Sequence, residues 1–64
     1  MLKEYDVIQA KRDLSQVVKQ GTKGAIMLIV HNEPNKYEVE FVDSNGDTLE
    51  LLTVDEIDLE LVKE

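Results

Sequence analysis

The sequence predicts an all-β fold, a small barrel of about five antiparallel strands, on three observations. Residues 37–41, Tyr-Glu-Val-Glu-Phe, alternate apolar and acidic side chains, which is the period of a half-buried strand. Turn-forming residues at 43–47 separate this segment from a second strand-like segment at 48–53, so the two form a hairpin. The apolar run at 25–30 lies between glycines and a polar segment with Pro34, and this pattern is typical of a buried strand.

The remaining segments complete the predicted element order. Residues 5–10 are β-branched and aromatic, as expected for a first strand, and residues 11–20 lack a period and predict a long loop. The run at 25–30 is expected to be buried on both faces. Thr53 and Glu56 match a capping box, which predicts one short helical turn before a last strand at 59–62. An amphipathic C-terminal helix through Val54, Ile57 and Leu61 is the alternative.

The register of the hairpin can be predicted from parity, that is, from whether residue numbers are odd or even, because side chains alternate between the two faces of a strand. If Leu49 and Leu51 share the inner face with Val39 and Phe41, the loop must contain an odd number of residues. A three-residue loop at 44–46, with Gly46 in the left-handed conformation, satisfies this condition. The expected opposed pairs are Phe41 with Leu49, Val39 with Leu51, and Glu40 with Glu50.

Length and composition predict one soluble domain spanning residues 1–64. The chain has no cysteine, which excludes disulfides, thiolate metal sites and cysteine nucleophiles and fits a reducing compartment. Two acids in the first six residues argue against a signal peptide. The longest apolar run has six residues, far below the roughly 20 that cross a bilayer. We therefore expect a cytoplasmic protein without membrane contact.

The distribution of charged residues argues against most chemistries. The net charge is −7, and residues 33–64 carry two basic and eleven acidic groups, which disfavours nucleic acid as a partner. His31 is the single histidine, so neither a general base nor a zinc site has partners. Residues 43–47 match the start of a calcium loop, but the pattern fails at Thr48 and Val54. We expect no enzymatic activity, no metal and no cofactor.

An acidic sheet face is the strongest candidate binding site in the sequence. The predicted register places the partner-binding residues on one outward surface with an apolar centre. These residues are Glu38, Glu40, Glu50 and Leu52. The surface predicts a basic protein partner, in the manner of an immunity or antitoxin protein or an enzyme-accessory barrel, and a homo-oligomer remains open.

A weak nucleic-acid site is the alternative function. The basic residues of the N-terminal half would form its patch. They are Lys11, Arg12, Lys19 and Lys23.

Several segments together carry a resemblance to a known family. They are Tyr-Asp-Val at 5–7, Lys-Arg-Asp-Leu at 11–14, Gly-Thr-Lys-Gly-Ala at 21–25, Tyr-Glu-Val-Glu-Phe-Val-Asp at 37–43, Gly-Asp-Thr at 46–48 and Leu-Leu-Thr at 51–53. With them the chain resembles an uncharacterised bacterial domain family, often cyanobacterial. The resemblance implies an SH3-like small barrel, similar to the accessory barrel of nitrile hydratase β subunits, and implies no activity. Related sequences often carry proline where this chain has Ser15, which predicts a more mobile loop here.

Overall fold

Five antiparallel strands and one short 3-10 turn make up the fold in the computed structural model, which describes residues 2–63. The elements are β1 (Val7–Ala10), β2 (Lys23–Ile29), β3 (Lys36–Val42), β4 (Thr48–Asp55), the 3-10 turn (Glu56–Asp58) and β5 (Leu59–Leu61). The all-β class, the five strands and the helical turn before the last strand are therefore confirmed. The alternative of a C-terminal helix is wrong, because the segment forms the end of β4, the turn and β5.

The strands form one sheet in the order β4-β3-β2-β1-β5. The first four strands follow one another as neighbours, and β5 returns to pair with β1, where Ala10 opposes Leu59. The two edges of the sheet are therefore β4 and β5. The long loop predicted after β1 is present and spans residues 11–22.

The core lies on one side of the sheet and takes buried side chains from every strand. Its members are Leu2, Ile8, Ala10, Val18, Ile26, Tyr37, Val39, Phe41, Val54 and Leu59. The alternation predicted for β3 is confirmed, since Tyr37, Val39 and Phe41 are at most 2% exposed. Val18 comes from the long loop and is fully buried, so the loop also covers the core.

The apolar segment of β2 is not buried on both faces, contrary to the expectation from its sequence. Ile26 is buried, whereas Met27, Leu28 and Ile29 are 41–50% exposed. The pairing with β3 shifts between Ile26 and Leu28, which makes Met27 the extra residue of a β-bulge. The sheet has a single core side, so Leu28, which points away from it beside Glu38, meets solvent.

The turn between β3 and β4 has the predicted three-residue loop. The Asp43 amide donates to the Asp47 carbonyl at 2.9 Å, and the Gly46 amide donates to the Asp43 carbonyl at 3.0 Å. Gly46 has a φ of 85°, the left-handed conformation that the sequence predicted. The loop length is therefore confirmed.

The register beyond this turn differs from the prediction, because β4 contains an extra residue. Val42 opposes Thr48, but Phe41 opposes Glu50, so Leu49 is the added residue of a second bulge. The predicted pairs Phe41 with Leu49, Val39 with Leu51 and Glu40 with Glu50 are wrong. The observed pairs are Phe41 with Glu50, Glu40 with Leu51, and Val39 with Leu52.

The bulge decides which side chains of β4 reach the core. A shift of one residue moves every later side chain to the opposite face of a strand. Leu52 consequently packs against the core and Val54 is buried, whereas Leu51 is 64% exposed.

The predicted capping box at Thr53 does not form. Thr53 still pairs with Glu38 in the β3–β4 ladder, and its hydroxyl donates to Glu38 Oε2 at 3.0 Å. The residue before the 3-10 turn is instead Asp55, whose side chain makes no capping hydrogen bond. Glu56 accepts a hydrogen bond from the Tyr37 hydroxyl at 3.2 Å, so it binds the turn to β3.

The buried Tyr37 side chain has a raised pKa. Burial is the main cause, and the nearby negative charge of Glu56 together with its hydrogen bond adds to it. The neutral phenol is therefore the form that the fold requires.

We predict that alanine at Leu52 and alanine at Leu51 differ sharply in their effect on stability. Leu52→Ala should lower the free energy of unfolding by about 2 kcal/mol because it removes core packing. Leu51→Ala should change it by less than about 0.5 kcal/mol because the side chain is mostly in solvent. Urea unfolding followed by circular dichroism measures both, and a larger loss for Leu51→Ala would support the register predicted from parity.

We predict a loss of stability in alkali that Tyr37→Phe reduces. In the unfolded chain Tyr37 ionises near its ordinary pKa of about 10, while the folded state holds the proton to higher pH. The unfolded state then binds fewer protons, so the free energy of unfolding falls as the pH rises above about 10. Urea midpoints at pH 8 to 11.5 should fall less for Tyr37→Phe than for the wild type. An equal decrease of the urea midpoint with pH in the two proteins would contradict a contribution of Tyr37 ionisation to alkaline unfolding.

Candidate functional site

The side of the sheet away from the core carries Lys23 and Glu60 toward β1 and β5, and at its centre two glutamates of β3 lie among exposed apolar side chains. One row of directly paired residues crosses four strands, and a second row lies beside it. We call these seven residues the outer face: Val7, Ala25, Glu40 and Leu51 in the first row, and Leu28, Glu38 and Thr53 in the second. Leu51, Leu28 and Val7 are 64%, 50% and 42% exposed. The two glutamates lie on β3, between the exposed leucines of β2 and β4.

Threonine hydroxyls on β4 hold the two glutamates of the outer face. Thr53 Oγ1 donates to Glu38 Oε2, and Thr48 Oγ1 donates to Glu40 Oε2. Both glutamates are half-buried. Within residues 2–63, neither Glu38 nor Glu40 forms a salt bridge. The outer face therefore carries two negative charges without a basic partner.

Glu50 and Leu52, which the parity argument placed beside Glu38 and Glu40, lie on the opposite side of β4. Glu50 opposes Phe41, and its Oε1 accepts a hydrogen bond from Ser15 Oγ at 2.6 Å. Leu52 packs against the core. Of the four predicted residues, the structure brings together only Glu38 and Glu40, and Leu51 takes the apolar place assigned to Leu52.

Ser15 connects the long loop to β4. Its hydroxyl oxygen accepts hydrogen bonds from the amides of Val18 at 3.0 Å and Val17 at 3.3 Å, while it donates to Glu50. The Ser15 amide also donates to the Val18 carbonyl at 3.2 Å. Proline at this position could form none of these contacts, so serine anchors the loop by a different set of interactions.

Of the four basic residues of the alternative site, Arg12 forms an ion pair within the fold. The guanidinium of Arg12 binds Asp58 through two contacts, Nε to Oδ1 at 2.9 Å and Nη2 to Oδ2 at 3.1 Å. Asp58 raises the pKa of Arg12 through the hydrogen bond and its charge. Lys11, Lys19 and Lys23 are exposed. The charge of Arg12 is thus used to join the long loop to the turn before β5.

The turn at 43–47 uses its acidic side chain for backbone contacts. Asp43 Oδ1 accepts hydrogen bonds from the amides of Asn45 at 2.9 Å and Asp47 at 3.0 Å. Over residues 2–63, no three histidine or acidic side chains come together in a group that could hold a metal ion. His31 is exposed in the loop between β2 and β3. The side chain of Asp43 therefore stabilises the backbone of the hairpin turn.

The best-defined cleft, of about 510 Å³, opens between the long loop and this turn. It is lined by Gly21, Thr22, Lys23, Val42, Asp43, Ser44 and Leu49. No histidine lines it, so Ser44 has no imidazole base there.

No helix in the described part of the chain is long and apolar enough to cross a membrane.

The fold and the outer face define a small antiparallel β domain with a mixed acidic and apolar sheet surface. The chain belongs to the family described as domain of unknown function DUF4926, whose model matches residues 4–61. This range includes all five strands. No curated protein and no solved structure shows a significant match to the chain.

We predict that Ser15→Ala destabilises the fold by about 1 kcal/mol, since Glu50 and the Val18 amide lose their partner. Ser44→Ala is the matched control. Ser44 is exposed in the turn, so its replacement should cost less than about 0.5 kcal/mol. Thermal unfolding of both variants provides the comparison, and equal stability of the two would contradict an anchoring role for Ser15.

Proposed function

We propose that this domain is a non-catalytic protein-binding module whose outer face docks on a basic partner protein. The observation that carries the proposal is the composition of that face. Exposed Leu28 and Leu51 lie on either side of Glu38 and Glu40, which form no salt bridge within residues 2–63.

The apolar part of the outer face supplies binding energy. Large apolar side chains that remain exposed together on a small domain are typical of protein interaction sites. Val7, Leu28 and Leu51 are each more than 40% exposed on one side of the sheet. Burial of this area against a partner removes it from water, which favours association.

The acidic part supplies selectivity. Glu38 and Glu40 would lie inside the contact, where an unpaired carboxylate is costly to desolvate. A lysine or arginine of the partner removes that cost, whereas an acidic or purely apolar surface does not. The net charge of −7 also attracts basic proteins over a distance and accelerates their encounter.

The fold type and origin implied by the family resemblance, together with a biological role, belong to the same proposal. We include in it an SH3-like barrel and a bacterial origin, and the return of β5 beside β1 after a 3-10 turn supports the barrel. An immunity-like, antitoxin-like or enzyme-accessory role in the cytoplasm fits a small acidic protein without cysteine. The nucleic-acid alternative has less support, because Asp58 pairs with Arg12 and leaves three separate lysines.

The test is a capture experiment with charge-reversed bait. The double variant Glu38→Lys/Glu40→Lys should recover at least about tenfold less of a basic protein from native lysate than the wild type, as quantified by mass spectrometry. The control Glu4→Lys/Glu33→Lys makes the same change in net charge on exposed residues away from the outer face.

The control bait should recover the partner as the wild type does, and circular dichroism should show that both variants fold. Equal recovery by the Glu38→Lys/Glu40→Lys bait would contradict the proposal. So would a partner that is lost equally with the control variant, since that result would reflect net charge alone.

A further inference from the structure

The outer edge of β4 is an open edge of the sheet. This strand is eight residues long, the longest in the fold, and β3 is its one neighbour. Among residues 2–63, no backbone hydrogen bond joins Thr48–Asp55 to any segment other than β3. The strand therefore has one side of its backbone available.

The pairing of the hairpin shows which backbone groups point to that edge. The Asp43 amide donates to the Asp47 carbonyl, so this pair lies at a hydrogen-bonded position, and such positions alternate with non-bonded ones along an antiparallel ladder. With the bulge at Leu49, the residues of β4 that bond to β3 are Glu50, Leu52 and Val54. The amides and carbonyls of Leu51, Thr53 and Asp55 consequently face away from the sheet.

The side chains along the edge do little to block a basic strand. Exposed edges are commonly protected by charged side chains, proline, a bulge or a very short strand. In β4, Thr-Leu-Glu-Leu-Leu-Thr-Val-Asp, there is neither lysine nor proline, the bulge lies at the beginning of the strand, and the two charged residues, Glu50 and Asp55, are acidic. Leu51 and Thr53 are exposed on the outer face at the same positions.

The charges near the edge select its occupant. Glu38, Glu40, Glu50 and Asp55 lie on β3 and β4, against a single basic residue, Lys36, which pairs with Asp55 at 3.7 Å. A second copy of the chain would bring the same acids and a further net charge of −7. A basic strand would meet opposite charge.

We propose that β4 accepts an extended basic segment of the partner as a sixth, antiparallel strand. This inference rests on the proposed function and specifies how the partner is held. The backbone of the incoming segment bonds to Leu51, Thr53 and Asp55, and its alternate side chains lie beside Leu51 on the outer face and beside Glu50 on the other. The ligand class is an alternating apolar and basic peptide.

An eight-residue peptide of alternating lysine and valine, the length of β4, is the probe. A lysine opposed to Leu51 lies on the outer face with Glu38 and Glu40, and a directly opposed residue points its amide to β4, so the lysine amides point to β4 and the valine amides point to solvent. N-methylation of the lysines should weaken binding at least about tenfold, whereas N-methylation of the valines should leave it within about twofold. Fluorescence anisotropy of labelled peptides measures both, and the glutamate–valine peptide is the charge control.

Three results would overturn the inference. They are equal binding of the two N-methylated peptides, absence of lysine–valine binding at about 1 mM, and a stable dimer in light scattering in which β4 amides gain exchange protection. If the two N-methylated peptides bind equally but Glu38→Lys/Glu40→Lys abolishes binding, strand addition fails and docking on the outer face stands. If the N-methylation difference is found while lysate capture ignores Glu38→Lys/Glu40→Lys, the edge binds basic strands and the proposed function fails.

Discussion

The position of Leu49 as an extra residue in β4 is the constraint on which the rest of the structure depends. Because side chains alternate between the two faces of a strand, this residue sets the direction of every side chain that follows. It sends Leu52 and Val54 to the core and leaves Leu51 in solvent. The closing of the core and the composition of the outer face are thus two results of the same bulge.

Five acidic residues of the sheet and the 3-10 turn fall into two groups once the register is known. Glu50, Glu56 and Asp58 contact Ser15, Tyr37 and Arg12, and these contacts connect the long loop, β3 and the turn before β5. These three acidic residues therefore stabilise the fold. Within residues 2–63, the side chains of Glu38 and Glu40 accept hydrogen bonds from threonine hydroxyls and remain on the outer face. The strongly acidic composition therefore includes both structural groups and groups available to a partner.

Local patterns predicted the elements of this fold but not the bulges. The alternation at 37–41 predicted the buried side chains of β3, and Gly46 predicted the turn, because each depends on near neighbours. The adjacent Leu51 and Leu52 break the alternation of β4, and this break is the sequence sign of a bulge that the parity argument missed. Without it, Glu50 and Leu52 were assigned to the wrong face.

Long-range contacts limited the prediction of the candidate sites. Arg12 and Asp58 are 46 positions apart, so their pairing cannot be inferred from local pattern, and Arg12 was predicted as part of the basic patch. Thr53 and Glu56 have the spacing of a capping box, yet pairing with Glu38 keeps Thr53 in the strand. At Thr53 a tertiary contact therefore overrides the local capping rule.

The register of the β3–β4 hairpin can be measured directly by nuclear Overhauser effects between α-protons. Because Glu40–Leu51 and Glu38–Thr53 are non-hydrogen-bonded pairs, their α-carbons lie about 4.5 Å apart and their α-protons should give strong cross-peaks. The structure predicts both cross-peaks. Cross-peaks that instead join Glu40 to Glu50 and Glu38 to Leu52 would show a hairpin without the bulge at Leu49, and would contradict the outer face and the edge assigned to β4.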